Sequence, residues 1–130
     1  MKIAFLYAGQ GSQRVGMGRD LYDASPAFRA AFDAGHLDFD LHALCFEGAQ
    51  ETLNQTQYTQ PCMVAFACGV TAALFDAGLR PDYVAGLSLG EYSALEASGV
   101  LTAQSAIELA AYRGAAMAKA SEGIQSAMTA

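Results

Sequence analysis

Between Asp82 and Ser98 the chain passes from a short apolar run, through a serine framed by two glycines, into a helix-forming stretch. No other part of the sequence limits the fold so tightly. Residues 84–92 read V-A-G-L-S-L-G-E-Y, so Gly86, Ser88 and Gly90 form a GxSxG pattern. Such a serine sits on a sharp strand-to-helix turn, with its hydroxyl pointing out of the sheet. The turn presses the strand against the helix that follows, and glycine two residues to either side relieves the crowding. The spacing predicts a strand over Asp82 to Leu87 and a helix over Leu89 to Ser98, closed by Gly99. The start of that helix supplies free N–H groups and a partial positive charge beside the hydroxyl, which suits a serine that accepts an acyl group. A plain N-cap on the helix is the alternative local reading of Ser88.

The rest of the chain is built around a second strand of the same kind. Ile3 to Ala8 is a continuous apolar run ending at a glycine, the pattern of a parallel strand covered on both faces. The loop GQGSQ at 9–13 follows it. Asp20 to Ala34 reads as helix broken at Ser25-Pro26, with Ser25 as N-cap and Pro26 as first helical residue. One or two brief helices are expected within 36–57. Thr59 to Ala77 is apolar on most sides and reads as a buried helix, with Pro61 in its first turn and Gly78 as its stop. Ala103 to Ala120 is a further helix, and Gly123 to Ala130 has the character of a strand beginning. The order of strands and helices predicts an α/β fold with parallel strands.

Composition narrows the function classes. The net charge is −6 and the seven basic residues are scattered, which argues against nucleic acid as a partner. Cys45, Cys62 and Cys68 are odd in number and lack CxxC spacing, so neither a disulfide framework nor a zinc site is expected. Free thiols fit a reducing cytoplasm. The apolar start is too short for a signal peptide or a membrane span, and no P-loop spacing is present. The expectation is a cytoplasmic protein with no metal, no nucleotide cofactor and no membrane partner.

GQGSQ at 9–13 and GLSLGEYSAL at 86–95, taken together, resemble the malonyl-CoA:acyl carrier protein transacylases and the acyltransferase domains of fatty acid and polyketide synthases. Gln60-Pro61, Tyr112-Arg113-Gly114 and the segment Gly123 to Ala130 match the same pattern in order. The resemblance implies a partial α/β-hydrolase-like core with a strand–elbow–helix. It implies that Ser88 is the nucleophile that takes malonyl from malonyl-CoA as an ester and passes it to the phosphopantetheine thiol of acyl carrier protein. The backbone N–H groups of Gln10 and Leu89 would form the oxyanion hole, and Gln60 would lie near the acyl pocket. Arg113 would bind the malonyl carboxylate. Helical geometry places Arg113 roughly 20° from Ala106 and 40° from Leu109 and Met117, on the apolar stripe. An arginine buried there needs a partner, and a carboxylate fits its fork. Read without the resemblance, Arg113 could equally reach solvent or pair with a structural carboxylate, and Gln60 could cap the buried helix. Two residues depart from the family, Ala8 where Pro is common and Leu87 where His is frequent.

The resemblance also says what to look for elsewhere. The family's general base is a histidine downstream of an inserted ferredoxin-like subdomain, and residues 1–130 contain neither. His36 and His42 both precede the elbow and are expected at the surface or in local caps. The expectation is therefore the N-terminal portion of one acyltransferase domain, with little activity alone and exposed apolar faces. A complementary C-terminal half would be a natural partner. A polyketide-type acyltransferase, a serine hydrolase and an inert fragment are the competing readings. The short start speaks against a domain cut from a megasynthase.

Overall fold

A computed structural model describes residues 1–124, and the strand expected to begin at Gly123 falls, beyond Ile124, outside the described residues. The elements run β1 (Ala4–Tyr7), α1 (Arg19–Ala24), α2 (Pro26–Phe32), α3 (Leu41–Glu47), α4 (Gln50–Leu53), α5 (Thr56–Asp76), β2 (Tyr83–Gly86), α6 (Gly90–Ala97) and α7 (Ala103–Ala120). β1 and β2 pair in parallel, with Ala4 opposite Tyr83 and Tyr7 opposite Gly86.

The local signals explain most boundaries. Ser25 accepts a hydrogen bond from the Phe28 amide and splits α1 from α2. Thr102 does the same for Ser105 at the start of α7. Gly78, with φ of 83°, ends α5: its own amide donates to the Phe75 carbonyl and the Leu79 amide to the Leu74 carbonyl. That bond pair is the Schellman arrangement. Gly99 ends α6 in the same way, on Glu96 and Leu95.

α5 is the core helix. It is long and apolar enough to cross a membrane by length and composition alone, yet it packs against α2, α6 and α7 and much of it is buried. Phe28 and Phe32 from α2 and Ile107 from α7 are fully buried in the cluster around it. Burial of each such side chain contributes about 1.5–3 kcal/mol. Its apolarity on every side follows from these neighbours.

Two expectations need correction. α5 starts a turn earlier than expected, at Thr56, so Pro61 lies in its second turn rather than its first. Proline there leaves the Gln57 carbonyl without its helical donor. Gly114 of α7 packs against the same place, where a Cβ would lie 2.8 Å from the Thr56 carbonyl oxygen. The second correction concerns β1, which is covered on one face only. Leu6, Tyr83 and Leu87 stand exposed on the sheet's other face, because no described element lies over it. The exposed apolar face expected of this chain is therefore present.

Candidate active site

The turn after β2 is tight in atomic terms. A Cβ on Gly86 would lie 2.1 Å from the Gly90 carbonyl carbon and oxygen, and one on Gly90 would lie 2.4 Å from the Tyr7 carbonyl oxygen. Glycine at both positions is what allows α6 to start against β1 and β2. Between them Ser88 takes φ of 55°, the only positive value at a non-glycine residue among the described residues. The left-handed conformation is costly for any residue with a Cβ. It holds the Ser88 side chain exposed at the top of the turn, while Leu89 beside it is buried.

The loop after β1 rises beside this turn. The Leu87 amide donates to the Tyr7 carbonyl at 3.0 Å, and a Cβ on Gly9 would lie 3.1 Å from the Leu87 carbonyl oxygen. Side chains from later in the chain hold the loop. Gln13 accepts from the Gly11 amide and donates to Asn54, and Gln50 accepts from the Val15 amide. The Gln10 side chain donates to Thr56 Oγ1 at 3.1 Å. Its backbone amide and that of Leu89 have no acceptor among the described residues. An oxyanion site needs two such free N–H groups aimed at one point.

Arg113 comes from α7, half-buried, and reaches both neighbouring elements. One terminal nitrogen donates to Gln60 Oε1 at 2.7 Å, and the other donates to Ser88 Oγ at 3.1 Å. Gln60 is fully buried in α5, and its Nε2 lies 3.2 Å from Met117 Sδ. Arg113 has no carboxylate partner among the described residues. A guanidinium held by an uncharged amide has donors left over for a further acceptor. Gln60 sits inside α5 rather than at its start, so a capping role is excluded.

Four of the expected site residues, Ser88, Leu89, Gln60 and Arg113, thus gather around one turn, with Gln10 on the adjoining loop. The histidines lie elsewhere. His36 is on the surface against Gln104 and Glu108, and His42 packs its ring against Tyr22 and Phe46. Sequence reasoning missed Thr56 and Met117, whose contacts with Gln10 and Gln60 span 46 and 57 residues and leave no local pattern. It also missed Glu96 on α6, where burial pushes the carboxyl up to about 7. No group of three or more metal-ligating side chains occurs among the described residues.

A family model described as an acyl transferase domain matches residues 4–130. The malonyl CoA-acyl carrier protein transacylase of Bacillus subtilis (strain 168) is 42% identical over 131 residues, covering 99% of this chain and 41% of that protein. The MCAT of Streptococcus pneumoniae superposes with a TM-score of 0.86 at 49% identity, over 92% of this chain and 39% of that one. A malonyl-transacylase solved in complex with a type II polyketide acyl-carrier protein gives 0.85 at 39% identity, over 92% and 40% of the two chains. The α/β architecture with its small parallel sheet is shared with these structures. The chain spans about two fifths of the length of these relatives.

Proposed function

The chain belongs to the acyl transferase domain family, and on that premise we propose that it is the N-terminal portion of a malonyl-CoA:acyl carrier protein transacylase of fatty acid biosynthesis. The carrying observation is the Arg113 guanidinium, fixed by Gln60 and placed on the Ser88 hydroxyl. In this reading Ser88 Oγ attacks the thioester carbonyl of malonyl-CoA. The C–S bond breaks, coenzyme A leaves as its thiol, and a malonyl ester remains on Ser88. The amides of Gln10 and Leu89 hold the developing oxyanion. Arg113 leaves the serine hydroxyl and grips the malonyl carboxylate, which selects a dicarboxylic acyl group. The phosphopantetheine thiol of acyl carrier protein then attacks the ester and carries malonyl away.

A serine hydroxyl needs a base, and neither His36 nor His42 meets it. The base, the family's inserted ferredoxin-like subdomain and the rest of the hydrolase-like core lie outside residues 1–130 in this reading. The unpaired thiols Cys45, Cys62 and Cys68 support a reducing, cytoplasmic setting. The type II polyketide complex supports a second reading, in which the same transfer serves a polyketide carrier protein. Preference between carrier proteins in a transfer assay separates the two.

The test combines this chain with the histidine-bearing C-terminal portion of a relative and malonyl-CoA, followed by mass spectrometry. One malonyl unit on Ser88, absent in Ser88→Ala and transferable to carrier protein, is expected. Release of free malonate without transfer would make the protein a hydrolase and sink the proposal. The chain alone should transfer little.

A further inference from the structure

Gln10 carries one of the two amides assigned to the oxyanion, and a single contact of its own holds it. Gln13 and Gln50 brace the same loop further along, on the Gly11 and Val15 amides. Among the described residues the hydrogen bond made by Gln10 itself runs from its Nε2 to Thr56 Oγ1, at 3.1 Å. Thr56 is half-buried and is the first residue of α5.

Thr56 stands on a firm base. Thr59, fully buried in the same turn, has its Oγ1 within hydrogen-bond reach of the Leu53 and Gln55 carbonyls, which ties the start of α5 to the end of α4. From the other side α7 closes on the same residue. A Cβ on Gly114 would lie 2.8 Å from the Thr56 carbonyl oxygen and 3.0 Å from Gln57 Cα. Gly114 directly follows Arg113, and Arg113 donates to Gln60, which lies a turn beyond Thr56 on α5. The oxyanion loop and the arginine segment therefore meet at one residue, the first by its hydroxyl and the second by its main chain.

We propose that Thr56 is a positioning residue for acyl transfer. Its hydroxyl fixes Gln10, so that the Gln10 backbone amide faces the oxyanion, while its main chain is the floor on which the Arg113–Gly114 step of α7 rests. Thr56 thereby sets the spacing between the group that holds the thioester oxygen and the group that holds the acyl carboxylate. This rests on the reading of Ser88 as acyl acceptor, with Gln10 and Arg113 in those roles. Thr56 does not touch the reacting atoms and acts only through geometry. The leverage is large, because a catalytic group displaced by about 1 Å can cost roughly a hundredfold in rate.

Two changes of similar size separate this role from packing. Thr56→Val keeps the shape and deletes Oγ1, whereas Thr56→Ser keeps Oγ1 and deletes the methyl. On the chain alone, NMR relaxation of the Gln10 backbone amide reads the tether. Its order parameter should fall from about 0.85 to about 0.6 in Thr56→Val and stay at the wild-type level in Thr56→Ser. The second arm adds the histidine-bearing portion of a relative and malonyl-CoA, with rates counted per acylatable Ser88. There Thr56→Val should lower kcat roughly 10–100-fold with KM unchanged, and Thr56→Ser should restore it. A packing role predicts the reverse order, with valine near wild type and serine impaired, and that order overturns the proposal. Gln10→Leu cuts the same bond from its other end, keeps the backbone amide, and stands in for Thr56→Val if that variant does not fold. Where both fold, the double variant should lose little more than either alone, and additive losses count against the link. Wild-type order at Gln10 in Thr56→Val refutes the link whether or not transfer occurs. Failure of the wild-type mixture to acylate Ser88, with Gln10 order still lost in Thr56→Val, refutes the transacylase reading instead.

Discussion

The strain at the elbow can be measured by comparing two substitutions at one position. Ser88→Ala and Ser88→Gly both delete Oγ and its 3.1 Å bond to Arg113, so that loss cancels between them. They differ in the Cβ. At φ of 55° a residue with a Cβ carries about 1–2 kcal/mol of strain that glycine escapes. Against this, glycine loses about 0.5–1 kcal/mol more than alanine in chain freedom on folding. The middle values of the two ranges leave Ser88→Gly more stable than Ser88→Ala by about 0.75 kcal/mol. That order is the reverse of the one at an ordinary helical or extended position. For a chain of this size it corresponds to roughly 2–5 °C in thermal midpoint. Urea unfolding of both variants, with equal m-values required, reads the difference directly. If alanine proved as stable as glycine or more so, the elbow would not be strained and the argument from its backbone angle would fail.

Gly86→Ala should do far more damage, because its Cβ would lie 2.1 Å from the Gly90 carbonyl and 2.4 Å from the Glu91 amide nitrogen, which are backbone atoms that no rotamer can move. A loss of about 3 kcal/mol or more is expected in the same unfolding assay, and a near-wild-type midpoint would show that the helix start is not as close as described. The three cysteines are buried; the neighbouring Cys45 thiol and then burial push the Cys62 thiol up, and burial pushes the Cys68 thiol up, away from the reactive thiolate. A disulfide-exchange reagent should therefore label none of them within seconds in the folded chain and all three in denaturant; rapid labelling of the native protein would contradict this packing.

What could be read from the sequence was mostly local. The bounds of α7 follow from Thr102 and from the alanine-rich run after it, and the break at Ser25-Pro26 follows from one cap and one ring. The elbow was legible because glycine at two positions has a steric cause within five residues. The early start of α5 was not, because Pro61 is a strong sign of a first turn and the packing of Gly114 against Thr56 and Gln57 outweighs it. The open face of β1 was also hidden: an apolar strand looks the same whether or not something covers it. At the site, Ser88, Gln60 and Arg113 could each be picked out, but their mutual bonds join residues 25 and 53 positions apart. No periodicity records such contacts. Glu96 escaped notice for a similar reason, since its unusual setting is created by burial in the fold.

The parallel pairing of Ala4 with Tyr83 has a consequence for how the chain is made. β1 leaves the ribosome first, yet its hydrogen-bonding partner is nearly 80 residues behind it. At synthesis rates of about 5–20 residues per second, β1 waits roughly 4–16 s with an unpaired edge and apolar side chains. Closing so long a loop also slows folding after synthesis is complete. The loop that carries Gln10 can bond to Gln50, Asn54 and Thr56 earlier, but the turn it stands beside forms only when β2 arrives, and β2 runs straight into Ser88. Sheet and site are thus assembled in a single late event, and a nascent chain halted before residue 83 has neither.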